Sequence, residues 1–515
     1  MSSLPPQDLS TVLHQRAERF GSQPFLRLVG ARSEPDQTLS WAETEELVAR
    51  VGGGLMARGH EPGSGSGSVI MTAGGLASTQ LVVWLACQRI GAVWAPLNPL
   101  LRAKPLTDIV AQAKPDLIVT DRAVAETPAV PKLDIDSLAA GHEVAQPATV
   151  GPLGQGLGAK LMFTSGTTGQ PKGVVWNRRC EALWAQAYAT ELLDVDEGNG
   201  LFTCLPLAHV TAQGTVASAL LTGATMTLAD GFAPFSFWDQ IRGAEARRFT
   251  FVGTILSTLI RAKPKPGSDR DHQLDRIVGA GAPPPYWAEI EDRFGVEIME
   301  TWGQTESAGC YTKPSSLPQR PGSIGRPTDR FEARLVPLNG SIGDGRGGEL
   351  LIRPTSRGAI FDGYLRPDGS LESPYDADGW YHTGDLVRLG DDGDLEFVTR
   401  QRESIRRRGE IIASTPIEEA AATHPQVAEA AAIAVPAGDG VDEEIKLCIT
   451  TFGPEPVSPV ELHRFLRQHL PAFMVPRYIQ HLTQLPKTPS TRVQKFKLDG
   501  GVEGAWDARN RPHRR

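Results

Sequence analysis

The chain is poor in cysteine, in unbroken apolar runs and in surplus positive charge. Its five cysteines, Cys87, Cys180, Cys204, Cys310 and Cys448, are scattered over 515 residues with no CxxC pair and no ligand-like spacing. That argues against a zinc site or a disulfide framework and fits a reducing, cytoplasmic setting. The richest apolar stretch, around residues 81–95, is broken by Gln88, Arg89 and Gly91, short of the ~20 continuous apolar residues a bilayer requires. The opening MSSLPPQDLS has neither the charged start nor the apolar core of a secretory signal. A soluble protein with no membrane partner is expected. Acidic residues outnumber basic ones, 60 to 52, for a net charge of -8, which argues against a broad nucleic-acid-binding face. Small molecules are the expected partners.

At 515 residues the chain exceeds one ordinary core, so a large and a smaller domain are expected. Residues 42–119 alternate helical and strand-like segments. LVVWLACQRIG reads as a helix with Leu81 and Leu85 on one face and Gly91 as its stop, and GAVWAPLNP as a short buried strand. The same alternation returns between residues 201 and 300 in GATMTLAD, RFTFVGT, RIVGAGAPPP and GVEIMETWG, predicting an α/β layering of mostly parallel sheets. After residue 322, runs such as GGELLIRP and GDLEFVTR predict a compact antiparallel piece, and from Pro416 a helix-strand pattern resumes. The boundary falls near Arg400. The Gly-rich segment 151–158 reads as a linker and the tail ARNRPHRR as a solvated, disordered end.

The segment FTSGTTGQPKG, residues 163–173, follows the apolar Leu161 and Met162. It is no Walker A loop, because Pro171 rather than glycine precedes Lys172. Its composition nonetheless suits phosphate: glycine lets backbone amides approach an anion, the hydroxyls of Thr164, Ser165, Thr167 and Thr168 donate, and Lys172 adds charge. A polar surface turn is the plainer alternative.

Downstream, in order, come PLAHV (206–210), GAGAPPP (279–285), TWGQTESAG (301–309), WYHTGDL (380–386), VTRQRESIRRRGEII (398–412) and MVPRYIQHLTQLPKTPSTRVQK (474–495). Together with the opening loop they resemble the motifs of the adenylate-forming superfamily, which includes acyl-CoA synthetases, over roughly residues 38–498. The resemblance implies an α/β fold with a large N-terminal domain of layered mixed sheets, helices and a β-subdomain (1–399). A small mobile α+β C-terminal domain (400–500) would swing on a hinge at Arg402, followed by a disordered basic tail (501–515). It implies an enzyme that lets an acid attack the α-phosphate of ATP, releases pyrophosphate, and passes the activated group to an acceptor, usually CoA.

By the same resemblance, Gly166, Gly169 and the hydroxyls and lysine named above cradle phosphate. Glu306 holds Mg²⁺, with Thr167, and Thr305 contacts the α-phosphate. Gly279, Ala280 and Gly281 line adenine opposite Trp302, which stands in the place of a family tyrosine, and Gly303 follows it. Asp385 accepts the ribose hydroxyls, Arg400 lies near ribose and phosphate, and His209 sits at the acid's carboxylate, where a packed core histidine is the alternative. Gly409 would line the thiol tunnel, and Ile255, Gly281 and Ala308 the acid pocket. Arg406, Arg407 and Arg408 face either CoA phosphates or plain solvent.

One departure stands out. The family's PKTPTGK ends on a catalytic lysine, and here the letters are PKTPSTR. Arg492 takes that position, and an arginine's planar fork is no conservative exchange for an ammonium. Either Arg492 does the lysine's work, or Lys487 or Lys495 takes over, or the acid is unlike a fatty carboxylate. The last option brings in the superfamily's diazotases, which activate nitrous acid for an aryl amine acceptor. A catalytically weak nucleotide-binding relative is the alternative of another class.

Overall fold

The computed structural model describes residues 8–30, 36–60, 67–74, 76–99, 101, 103–121, 130–140, 145, 159–165, 171–265, 267–308, 311–337, 346–356, 358–407, 410–437, 443–453, 456–487 and 493–510. Two large sheets carry the N-terminal part. In the first, strands Glu297–Glu300, Arg276–Ala280, Ala246–Val252, Gly200–Thr203, Thr225–Ala229 and Pro24–Val29 run parallel in that spatial order, and Gln37–Ser40 closes it antiparallel. In the second, a parallel block built around Val69–Thr72 and Val93–Pro96 meets the hairpin Lys160–Ser165 and Pro171–Trp176. The helix Ala77–Ile90 lies between layers and is buried on every side from Thr79 to Ile90, so no single apolar face identifies it. It ends on Gly91 at φ 82, the left-handed stop its sequence predicts.

The antiparallel piece is a six-stranded sheet in which Tyr381–Leu389 pairs Leu395–Arg400 on one side and Gly347–Pro354 on the other. Beyond it, the helices Thr415–Ala422 and Pro459–His469 accompany a sheet of Val427–Pro436, Glu443–Thr451, Tyr478–His481 and Trp506–Asp507. Among the described residues, the apolar clusters of the first part end at Leu395 and those of the last begin at Ile405. The two parts touch through Arg261, which donates to the carbonyls of Ala422 and Ala428 at 3.0 Å each and lies 5.7 Å from the Phe452 ring centroid.

The end of the chain corrects one expectation. Trp506 and Asp507 pair with Ile479 and Tyr478, Asp507 accepts from Arg477, and Arg509 reaches Glu444 at 2.6 Å. Residues 501–510 are therefore folded, because an indole and an acid offset the basic letters around them; residues 511–515 lie outside the described residues, as does the segment 151–158. No helix among the described residues is long and apolar enough to cross a membrane.

The core holds a charge that its sequence position does not predict. Lys160, 0 % exposed, pairs with Glu181 at 2.8 Å inside a cage of Trp84, Trp176 and Trp184, whose ring centroids lie 4.5, 4.9 and 4.4 Å from its ammonium. Burying two such ions costs several kcal/mol each, against which desolvated cation–π contacts return on the order of 2 kcal/mol apiece. Stability alone is a weak reason to keep a lysine there.

Candidate functional site

The hairpin that carries the hydroxyl-rich turn puts Thr164 opposite Lys172 in its ladder. The turn itself, Gly166, Thr167, Thr168 and Gly169, and the side chain of Ser165 lie outside the described residues. Lys172 is half-buried, its ammonium 4.8 Å from the Tyr364 ring centroid, and the Tyr364 hydroxyl donates to Glu306 Oε1 at 3.3 Å. The root of the turn and the acidic motif thus meet, although more than a hundred residues apart in the chain.

Glu306 sits in the loop that leaves the C-terminal end of strand Glu297–Glu300, the edge where ligands gather in open parallel sheets. The loop is pinned from two directions: Trp176 Nε1 donates to the Thr305 carbonyl at 2.9 Å, and the Phe361 amide to the Glu306 carbonyl at 3.4 Å. Ala308 closes it at φ 47, a left-handed value uncommon for a non-glycine residue. Burial raises the Glu306 carboxyl above its ordinary pKa, while Arg400, the Tyr364 hydroxyl and Lys172 oppose the rise. No cluster of three or more potential metal-ligating side chains occurs among the described residues. A single carboxylate suits Mg²⁺ that takes its other oxygens from phosphates and water.

Asp385 and Arg400 are cross-strand partners, and their side chains meet at 3.1 Å between Nε and Oδ1. Asp385 is 2 % exposed. Its Oδ2 accepts from Trp302 Nε1 at 2.9 Å and from Gln304 Nε2 at 2.6 Å. Sequence reading gives Trp302 a ring to lay against adenine; in the structure the indole is 4 % exposed and directs its N–H at Asp385, a bond the phenol of a tyrosine would make differently. Gln304 stands inside the TWGQTESAG motif, but its letter alone gives no hint of a bond to Asp385, which lies 81 residues further along the chain. From it a line of hydroxyls runs back to the acid: Tyr381 donates to Gln304 Oε1 at 3.2 Å, and Tyr381 and Tyr364 lie 3.4 Å apart. The two carboxylates assigned to metal and ribose are therefore joined by three intervening side chains.

Across the site, Gly279 is required by packing, since a Cβ there would lie 2.2 Å from the Phe251 carbonyl oxygen. Ala280 and Gly281 are exposed, and Gly281 adopts φ 79. Gly303 is exposed and has no such steric need. The Gly281 amide donates to Glu300 Oε1 at 2.8 Å. Glu300, 8 % exposed, was not singled out by sequence. Burial pushes its carboxyl up to about 8 against that amide, with Glu419 of the C-terminal part adding to the rise.

A consequence follows for stability. The unfolded carboxyl ionises near 4.5 whereas the folded one holds its proton to about 8, so this group lowers stability progressively as pH rises through that window. Glu300→Gln keeps the acceptor for Gly281 and removes the titration. The variant is expected to melt close to wild type at pH 4.5 and to gain on the order of 5 kcal/mol by pH 9, read from thermal unfolding across that range. A constant difference at all pH values would refute it.

His209 is half-buried just before helix Val210–Thr222, its Nδ1 has no hydrogen-bond partner among the described residues, and burial lowers its pKa, which keeps the ring neutral. Ile255 and Ala308 are buried at 3 % and 7 % exposure, and helix Gly253–Arg261 starts hard against Gly281, where a Cβ on Gly253 would sit 1.8 Å from its carbonyl oxygen. In the C-terminal part, the side chains of Arg402 and Arg406, and residues Arg408, Gly409 and Arg492, lie outside the described residues. Arg407 meets neither of its expected fates. It turns inward to Glu444 at 2.8 Å and to the Phe473 carbonyl at 2.8 Å, because that buried carboxylate needs a cation. Lys495 is held by Glu418 and Ser414, both at 2.6 Å, and Lys487 pairs with Glu429.

Comparison with known proteins bears on the family and the fold. The family model described as AMP-binding enzyme matches residues 13–365, and the AMP-binding enzyme C-terminal domain matches residues 416–492. The chain is 28 % identical over 529 aligned positions to the medium/long-chain-fatty-acid–CoA ligase of Mycobacterium tuberculosis, covering 96 % of this chain and 86 % of that one. It is 29 % identical to the sulfoacetate–CoA ligase of Cupriavidus necator, covering 95 % and 97 %. Among solved structures, the o-succinylbenzoate CoA synthetase of Bacillus subtilis in complex with its acyl-adenylate superposes with a TM-score of 0.79 at 23 % identity, covering 94 % and 97 %. Its complex with ATP and magnesium ion gives 0.79 at 23 %, covering 95 % and 98 %.

Proposed function

From the premise that the chain belongs to the AMP-binding enzyme family and is an AMP-forming ligase, we propose that it adenylates a small carboxylic acid with ATP and transfers the acyl group to CoA. The carboxylate attacks the α-phosphorus, pyrophosphate leaves, and the CoA thiol then displaces AMP from the acyl carbon. Two anions must meet in the first step, so catalysis rests on neutralisation and alignment. Lys172 and Arg400 supply fixed positive charge, Asp385 orients the ribose as an acceptor, and neutral His209 borders the acid's carboxylate. Glu306 would hold magnesium, which when bound would supply positive charge to offset that of the departing pyrophosphate. We assign the swing between the two half-reactions to residues 400–500 turning about Arg402.

The observation that carries this reading is the convergence of Lys172, Glu306, Asp385 and Arg400 through Tyr364, Tyr381 and Gln304. CoA is favoured as acceptor because the relatives named above are CoA ligases; activation of nitrous acid for an amine finds no support in them. The test is AMP and pyrophosphate release with Mg–ATP across aliphatic acids, aromatic acids and nitrite, with CoA or an aryl amine as acceptor. Acid-dependent AMP release that needs CoA is the expected result, and no AMP with any acid would remove the reading.

A further inference from the structure

We propose that Lys160 is a positioning residue that sets both the Thr305–Glu306 loop and the His209 loop from a single buried point; this rests on the adenylation reading above. Lys160 begins strand Lys160–Ser165, which runs directly into the hydroxyl-rich turn. Two separate links leave its ammonium. The first passes through Gln213, whose Oε1 accepts from Lys160 at 2.8 Å and whose Nε2 donates to the Leu207 carbonyl at 2.7 Å, two residues before His209. The second passes through Trp176, whose ring lies over the ammonium at 4.9 Å and whose indole N–H donates to the Thr305 carbonyl at 2.9 Å.

The surroundings fix the cation tightly. Glu181 Oε1 accepts from both Lys160 and Trp84 at 2.8 Å, and Trp84 is itself stacked on Trp94 with centroids 5.3 Å apart. An ammonium with one carboxylate, one amide and three aromatic walls has little freedom to move. Whatever Gln213 and Trp176 grip therefore inherits a fixed reference, and those grips are the backbones that carry the proposed metal ligand, the α-phosphate contact and the acid-facing imidazole.

Removing the charged pair whole, as Lys160→Met with Glu181→Gln, leaves no unpaired buried ion and is expected to preserve folding. In the full chain this double variant should lose at least tenfold in kcat for acid-dependent pyrophosphate release, because displacement by about 1 Å suffices for such losses. It should also need more Mg²⁺ for half-maximal rate and show a raised KM for the acid. The two links should separate. Trp176→Phe, which keeps an aromatic face near the ammonium but loses the pyrrole ring together with its N–H, is expected to lower kcat and raise the Mg²⁺ requirement with acid KM unchanged. Gln213→Met is expected to raise acid KM with the Mg²⁺ requirement unchanged. A folded double variant with wild-type kcat, KM and Mg²⁺ dependence overturns the proposal. If the double variant does not fold, wild-type kinetics in Trp176→Phe overturn it instead. Should wild type itself activate no acid, the adenylation reading has failed, and the hub is judged by amide exchange alone: faster exchange confined to residues 205–209 and 303–308 supports it, unchanged exchange there refutes it.

Discussion

Glu306→Gln should leave the protein folded and lower acid-dependent pyrophosphate release by about two to three orders of magnitude, the usual cost of deleting one charge-stabilising contact in a reacting site. The substitution preserves the shape that accepts from Tyr364 at 3.3 Å. It removes a negative charge on which both Lys172 and Arg400 act. If Glu306 holds Mg²⁺ as proposed, the half-saturating Mg²⁺ concentration should rise as the rate falls. Nucleotide binding measured without metal should stay near wild type, because Asp385 and its donors are untouched. A variant with wild-type turnover and Mg²⁺ dependence would show that the metal is held elsewhere.

The second large effect is expected at Arg492. Both nearby lysines are engaged within the C-terminal part, Lys487 with Glu429 and Lys495 with Glu418, Glu403 and Ser414. Neither can reach the acid without abandoning a carboxylate. Arg492→Ala is therefore expected to reduce adenylation by about 10²–10³-fold while ATP binding, followed by calorimetry, changes by no more than about twofold. Arg492→Lys, which restores an ammonium but not the planar fork, should recover only part of the rate. Unchanged turnover in the alanine variant would show that Arg492 does not bridge carboxylate and phosphate.

How much of this was legible in the letters depends on the range of the physics involved. Strands such as Thr225–Ala229 and Arg276–Ala280, and the stop at Gly91, follow from local pattern and backbone chemistry and are where the sequence puts them. Asp385 and Glu306 stand out in the letters because each sits inside a quoted motif, the first on a strand and the second in a loop. Lys160 was not legible: a lysine at the head of a strand reads as a solvated end, and the tryptophans and glutamate that bury it come from other segments. Gln304 and Tyr381 sit within the quoted motifs and Glu300 just before one, yet the partners that join them become visible only when distant segments align. Arg407 looked like part of an exposed basic run until Glu444 appeared beneath it. The basic tail misled for a similar reason, since composition cannot show that Trp506 has a strand to join.

That last strand has a practical consequence. Trp506 and Asp507 cover the outer edge of Tyr478–His481, and Lys446, wholly buried, is held by the carbonyls of Asp499 and Gly501. A chain trimmed at residue 500 to remove its basic end would uncover a row of unpaired amides and carbonyls beside an apolar sheet, the kind of edge on which a second molecule adds itself. Shortened versions made for crystallisation or tagging should keep residues through Asn510, or expect clumping in place of monodisperse protein.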